Sequence, residues 1–370
     1  MKTLLKACIW TVLTVCSCEA QVPQNDLAAI AERAARQLLA DERFTAASIA
    51  VYDRGESYVH HYGELDFGQD NPPNDTTLYE IASITKTMTG YLVACAVAEG
   101  KLTLDTPVYD VLGNAYRNLE YAGEPVRIVH LLTHTSGLPL NVDGVSELYQ
   151  SPNPNNLQEA RGLLAAYTKQ QLLADVQALE LSSPLGTTYT YSNVAPNLLA
   201  HLLEVLYDQP YARLLREKLW EPAGMNHTFI NLPETQRTQL ANGYNDQHQL
   251  MPNFREPIKL WGAAGRAKSS SVDLLQYIKW QLDPENQIAQ RSQQRLFRDE
   301  GNIWLAYFWD VLEDANGSHL EHHGGLYGYQ NWLLIYPEQQ CGISIITNSS
   351  FEAANPLIKQ AALQIYNELR

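Results

Sequence analysis

The sequence predicts an α+β fold: one antiparallel sheet built from both ends of the chain and flanked by helices, with a mainly helical lobe between them. Three observations carry this. Strand-like runs lie near both termini, the middle alternates helical periodicity with long loops, and an amphipathic helix stands outside the strands at each end. At 370 residues the chain can bury a large core. A composition of 45% hydrophobic and 18% charged residues, without a low-complexity tract, places it among ordinary globular proteins.

Residues 1–20 read as a secretory signal peptide. Lys2 and Lys6 give a positive start, residues 7–15 an apolar segment, and Cys18-Glu19-Ala20 offers a cut before Gln21. A bilayer span takes about 20 apolar residues, so this segment is too short for a stable membrane anchor. The expected location is periplasmic or secreted. Lipid anchoring through Cys16 or Cys18 is the less favoured alternative, because the residues before them fit a lipoprotein signal imperfectly.

Residues 21–370 form the expected mature domain. Asn25 is placed to cap a first helix whose apolar face is Leu27, Ile30, Ala31, Ala34 and Leu38. Strands follow at 47–53 and 57–62, joined through Arg54-Gly55-Glu56. A helical lobe of approximately 83–254 comes next, with helices at 157–167, 169–179 and 196–206 and a loop at 151–156. The α/β lobe takes approximately 21–82 and 255–370. Its later strands are expected at 303–312, 332–336 and 342–347, with an Asn316-Gly317 turn between the first two. A last helix opens at Asn355-Pro356 and buries Leu357, Ile358, Ala361, Ala362, Ile365 and Leu369.

A net charge of −15 argues against nucleic-acid binding, which calls for a basic patch, and disfavours an anionic membrane surface. After removal of a signal, Cys95 and Cys341 remain. Export permits a disulfide, but Cys95 lies in an apolar helix and Cys341 opens an apolar strand, so two separate buried thiols are expected. No cysteine spacing marks a metal site. His130 and His134 are four apart, as in zinc helices, yet lack the glutamate that follows the first histidine in metalloproteases. His60-His61 reads as a surface pair.

Chemistry concentrates at Ser83-Ile84-Thr85-Lys86. A serine and a lysine three apart on a helix share a face, and a serine hydroxyl needs a basic partner to become a nucleophile at neutral pH. About one such match is expected by chance in a chain this long, so the pair needs company. Tyr191-Ser192-Asn193 offers it: a tyrosine that can relay a proton and an amide that can orient a substrate or the lysine. Tyr-x-Asn recurs at Tyr116-Arg117-Asn118, read as a polar surface loop, and at Tyr329-Gln330-Asn331, read as the start of a strand. Tyr191 instead follows Pro184-Leu185-Gly186-Thr187 and precedes an amphipathic helix. The third candidate is His322-His323-Gly324-Gly325, just before a strand pair, where glycines let a substrate reach the backbone.

In this order and at these intervals, Ser83-x-x-Lys86, Tyr191-x-Asn193 and His323-Gly324-Gly325 resemble the three active-site motifs of the class C β-lactamase superfamily. That superfamily also holds D-alanyl-D-alanine carboxypeptidases and serine esterases. Leu131-Leu132-Thr133-His134-Thr135-Ser136-Gly137-Leu138-Pro139, Pro184-Leu185-Gly186-Thr187 and Ala263-Ala264-Gly265 extend the resemblance over nearly all of the expected mature chain. It implies a β-lactamase/transpeptidase-like fold with Ser83 as the acylated nucleophile, Lys86 as its activating partner and Tyr191 as proton relay or base. Asn193 would contact the substrate amide, the strand after His323 would line the cleft, and the N–H groups of Ser83 and Leu326 would form an oxyanion hole. No metal or organic cofactor is implied.

One departure matters. The superfamily's β-lactamases carry Lys-Thr-Gly where this chain has His323-Gly324-Gly325, and a histidine is mostly neutral at pH 7. The expectation is therefore an exported serine hydrolase acting on esters or D-amino-acid amides, with a small molecule or peptide as substrate. The alternatives are a penicillin- or peptidoglycan-recognising protein with little turnover, or a weak β-lactamase.

Overall fold

The structure, a computed structural model, describes residues 26–142, 144–150, 154–315 and 317–370. The expected signal peptide lies outside them. Among the described residues no helix is long and apolar enough to cross a membrane.

Helix α1 (Leu27–Leu39) is capped by Asp26, whose carboxylate accepts from the N–H groups of Ala28 and Ala29. Asn25, the expected cap, falls outside the described residues. Strands β1 (Ala46–Asp53) and β2 (Glu56–Gly63) form a hairpin turned by Arg54 and Gly55, both at positive φ. The middle holds α2 (Ile84–Ala98) and α3 (Val194–Tyr207), and α4 (Ser271–Leu282) leads back to the sheet. Then come β3 (Phe297–Arg298), β4 (Trp304–Leu305), β5 (Asp310–Asp314), β6 (Gly317–Leu326), β7 (Tyr329–Tyr336), β8 (Cys341–Thr347) and α5 (Ala354–Glu368).

These strands make one eight-stranded sheet in the order β2-β1-β8-β7-β6-β5-β4-β3. The N-terminal hairpin docks antiparallel on β8, with Ala47 opposite Thr347 and Asp53 opposite Cys341, so the two chain ends share one sheet as expected. Helices α1 and α5 cover one face through Ile30, Ala34, Ile358 and Ile365 against Ile49, Leu334 and Ile343. The other face packs on α4 and on the helices of the middle. At their centre is α2, buried from Ile84 to Ala96. A helix enclosed on every side reads apolar all round, and this one admits a single charged residue, Lys86.

Several expectations are corrected. The apolar run at 303–312 is not one strand: β4 and β5 are separated by residues 306–309, where Phe308 takes φ 63 and its N–H bonds Leu132. That segment turns inward because Tyr307 packs on α2 at Gly90, where a Cβ would lie 2.2 Å from the Tyr307 carbonyl oxygen. The His322-Gly325 segment lies within β6 rather than before a strand. Residues 154–156, expected in a loop, begin a helix with Pro154 at its first position. Tyr116 is buried, 4% exposed, in a 3-10 turn over His201 of α3. His60 is exposed, whereas alternation along β2 turns His61 inward, where its ring bonds Ser48 Oγ at 2.8 Å. His130 sits in the short helix Ile128–Leu132 while His134 lies beyond its end at φ 55, so the two share no helical face. Cys95 and Cys341, by contrast, are the two separate buried thiols expected.

Candidate active site

Ser83 stands at the N-terminus of α2. It is preceded by Ala82 at φ 47, a left-handed turn that drives the chain abruptly into the helix. Its hydroxyl makes no capping bond and is left for other partners. One turn on, Lys86 Nζ reaches back to 3.1 Å from Ser83 Oγ. The same nitrogen donates to Asn193 Oδ1 at 2.8 Å and to the Ala264 carbonyl. Burial, reinforced by the Arg266 charge, holds Lys86 well below the ordinary lysine range. A neutral amine has two N–H bonds and one lone pair. Ser83 Oγ, Asn193 Oδ1 and the Ala264 carbonyl thus surround the nitrogen; in the neutral form, with its hydrogens on Asn193 and Ala264, the lone pair would face the serine hydroxyl.

Tyr191 completes the cluster by donating its O–H to Ser83 Oγ at 2.8 Å. Burial raises its pKa, and Asp310 adds to this, so the resting side chain is a phenol rather than a phenolate. The turn that carries it is held by His134. The His134 carbonyl accepts from Thr190 N–H at 2.7 Å, its Nδ1 accepts from Ser192 N–H at 3.2 Å, and its ring lies 4.6 Å from that of Tyr191. Ser192 Oγ caps α3 through the N–H groups of Val194 and Ala195, which releases the Asn193 amide from capping. Asn193 therefore turns to the site, accepting from Lys86 and donating to Asn141 Oδ1 at 3.2 Å.

Strand β6 forms the opposite wall. It runs so close to the Ile81-Ala82 turn that a Cβ on Gly324 would lie 2.3 Å from the Ile81 carbonyl oxygen. Asn331 Nδ2 ties the two segments, donating to the carbonyls of Gly324 and Ile81. A Cβ on Gly325 would meet the His323 ring at 2.8 Å. His323 donates from Nε2 to Gln330 Oε1 at 2.5 Å, stacks on Trp332 and is pushed down by burial, so it is neutral. Burial likewise pushes His322 down, to about 3, and His134 well below its usual range. Leu326 ends β6 opposite Tyr329.

Two cavities meet at Ser83. One, of about 380 Å³, is mostly apolar and is lined by Val142, Leu164, Leu260, Leu326 and Asn193. The other, of about 310 Å³, is lined by Tyr189, Tyr191, His134, His322, His323 and Asp310. The expected residues thus converge: Ser83, Lys86, Tyr191 and Asn193 in direct contact, with His323, Gly324, Gly325 and Leu326 along the facing strand. Sequence reasoning missed three neighbours, Asp310, Gln330 and Arg266, and named Ala264 only within the Ala263-Ala264-Gly265 match. Arg266 lines the apolar cavity with its guanidinium 3.7 Å from the Phe254 ring centroid. Only Asp310 carried a signal, as a carboxylate inside an apolar run.

A family model described as Beta-lactamase matches residues 31–366. The chain belongs to the β-lactamase family. Protein flp of Staphylococcus aureus (strain N315) is 26% identical over 330 residues, 88% of this chain but 64% of that protein, so this β-lactamase-family chain spans less than two thirds of that relative. A β-lactamase of Yersinia enterocolitica is 24% identical, with the match covering 100% of this chain and 98% of the relative. In structure, a β-lactamase/D-alanine carboxypeptidase from Yersinia pestis, solved with citrate, shares the fold: TM-score 0.79 at 21% identity, over 93% of this chain and 99% of that one.

Proposed function

We propose that this family member is an exported serine hydrolase that forms an acyl-enzyme on Ser83 and hydrolyses esters or D-amino-acid amides. One observation carries the reading. Ser83 Oγ lies 3.1 Å from a buried lysine amine and 2.8 Å from a tyrosine hydroxyl, where two cavities meet. The Ser83 hydroxyl proton passes to the Lys86 lone pair as Oγ attacks the substrate carbonyl carbon. The N–H groups of Ser83 and Leu326 receive the developing oxyanion, supported by their place on one cavity wall and by the α2 N-terminus. As the scissile bond breaks, Tyr191 O–H protonates the leaving group, and the ammonium of Lys86, 4.7 Å from the tyrosine ring, returns a proton to the phenolate. Water then attacks the acyl-enzyme by the reverse proton path.

Lys86 is thus the base in the resting enzyme and Tyr191 the acid. Asn193 holds both the lysine and the substrate amide, and Gly324 and Gly325 leave the β6 backbone open to substrate. The peptide option draws on the carboxypeptidase named in the structural relative. The test compares wild type with Ser83→Ala on a short-chain aryl ester, a D-Ala-D-Ala peptide and a chromogenic cephalosporin. Turnover by Ser83→Ala is expected to fall by at least about 10³-fold with an unchanged thermal melt, and near-wild-type turnover would remove Ser83 from the role. A wild-type adduct that persists with the cephalosporin, without ester hydrolysis, would assign the chain to recognition instead.

A further inference from the structure

Tyr191, the acid of the proposed reaction, lines the polar cavity, whereas Asn193 lines the apolar one. With Tyr191 protonating it, the leaving group of the proposed reaction departs into the polar cavity. Among the described residues lining that cavity there is no lysine or arginine, and its single carboxyl is Asp310. Asp310 sits at the start of β5 opposite Glu321 of β6, and no side-chain hydrogen bond or ion pair engages its carboxyl among the described residues. Glu321 is instead paired with Lys359 at 2.7 Å. His323, one of three histidines lining that cavity, spends its Nε2–H on Gln330.

We propose that this cavity is an acid-lined leaving-group site in which Asp310 selects substrates whose leaving group is cationic, such as an amino- or ammonium-bearing alcohol or amine, and disfavours leaving groups that carry a carboxylate. The inference rests on the acyl-transfer reading of Ser83 and names the substrate class that reading leaves open. A leaving-group carboxylate entering here meets neutral histidines and an acid. An ammonium meets an acceptor with no competing partner. Burial, with Glu321 and Asp299 adding and Lys359 opposing, pushes Asp310 up to about 7. An incoming cation therefore draws the proton off and gains a charge pair beside a buried carboxyl, where such a pair is stronger than in water.

The test uses aryl esters of one short acyl group whose ring carries a trimethylammonium, a tert-butyl or a carboxylate substituent. Each kcat/KM is divided by the ester's rate of hydroxide hydrolysis. Wild type is expected to favour the cation over the carboxylate by at least about tenfold, equivalent to one pKa unit of differential interaction. Asp310→Asn collapses the ratio towards one, Asp310→Glu retains it, and His323→Lys moves it towards the carboxylate. If Asp310→Asn does not fold, the wild-type series alone decides. Equal rates, or a preference for the carboxylate, overturn the proposal. So does a ratio unmoved in folded Asp310→Asn. Loss of turnover of the tert-butyl ester in Ser83→Ala keeps the hydrolase reading intact in either case, and its persistence brings that reading down separately.

Discussion

Lys86 illustrates how a residue acquires chemistry from where it is held. On a solvated helix it would be a point charge. Enclosed in α2, with its nitrogen held by Asn193 and Ala264 beside Ser83, it becomes in the proposed reaction an amine whose lone pair takes the serine proton. An arginine cannot shed its proton in a protein. Lys86→Arg is therefore expected to be as inactive as Lys86→Met, each losing about 10²–10⁴ in kcat. Substantial activity in Lys86→Arg would mean the base lies elsewhere. Tyr191→Phe preserves the ring packed on His134 and removes only the donor. Steady-state kinetics should show kcat lowered by about 10²-fold or more with KM little changed. These pairings were legible in the sequence because Ser83 and Lys86 lie one helical turn apart and Tyr191 and Asn193 flank one turn. The charges that bear on their protonation states, Arg266 on Lys86 and Asp310 on Tyr191, come from distant segments, and of the two only Asp310 stood out in the sequence, as a carboxylate inside an apolar run.

At the level of elements, the site depends on how closely β6 approaches the turn before α2. Gly324 is the contact point. In Gly324→Ala the new Cβ, 2.3 Å from a backbone oxygen, forces strand and turn apart. Urea unfolding is expected to show a loss of about 1–3 kcal/mol, accompanied by loss of ester turnover. Gly162, in the helix Pro154–Ala166, has nothing within 4 Å of its would-be Cβ. Gly162→Ala should raise stability by about 0.5–1 kcal/mol, which separates the general effect of adding a methyl from the clash. The helices and the N-terminal hairpin followed their periodicity. Residues 306–309 did not, because packing on α2 outweighed the strand preference of their apolar side chains.

For the whole molecule, a buried acid ties folding stability to pH. Asp310 has an ordinary value of 3.8 and a folded value of about 7, raised by burial and by Glu321 and Asp299 against the pull of Lys359. Between those values the folded protein retains a proton that the unfolded chain releases. Its stability contribution therefore falls as pH rises through that window and levels off above it. Asp310→Asn has no such dependence. Its melting temperature relative to wild type should increase from pH 5 to pH 8 by at least about 2 °C, and a constant difference across that range would contradict the raised value.

The sequence by itself determined the α+β class, the sheet shared by both chain ends, and the identity and order of Ser83, Lys86, Tyr191 and Asn193. The class and the shared sheet are written in strand alternation and helical periodicity, whereas the four residues stood out through spacing within one turn together with the resemblance of three ordered motifs to the β-lactamase superfamily. Only the tertiary structure decided that β6 carries His323 against Gln330, that Asp310 faces the polar cavity, and that Lys86 is stripped of water. Those outcomes arise where segments far apart in the chain are packed together. There, burial and the nearest charge, rather than residue type, determine whether a lysine is an amine or a carboxyl holds its proton.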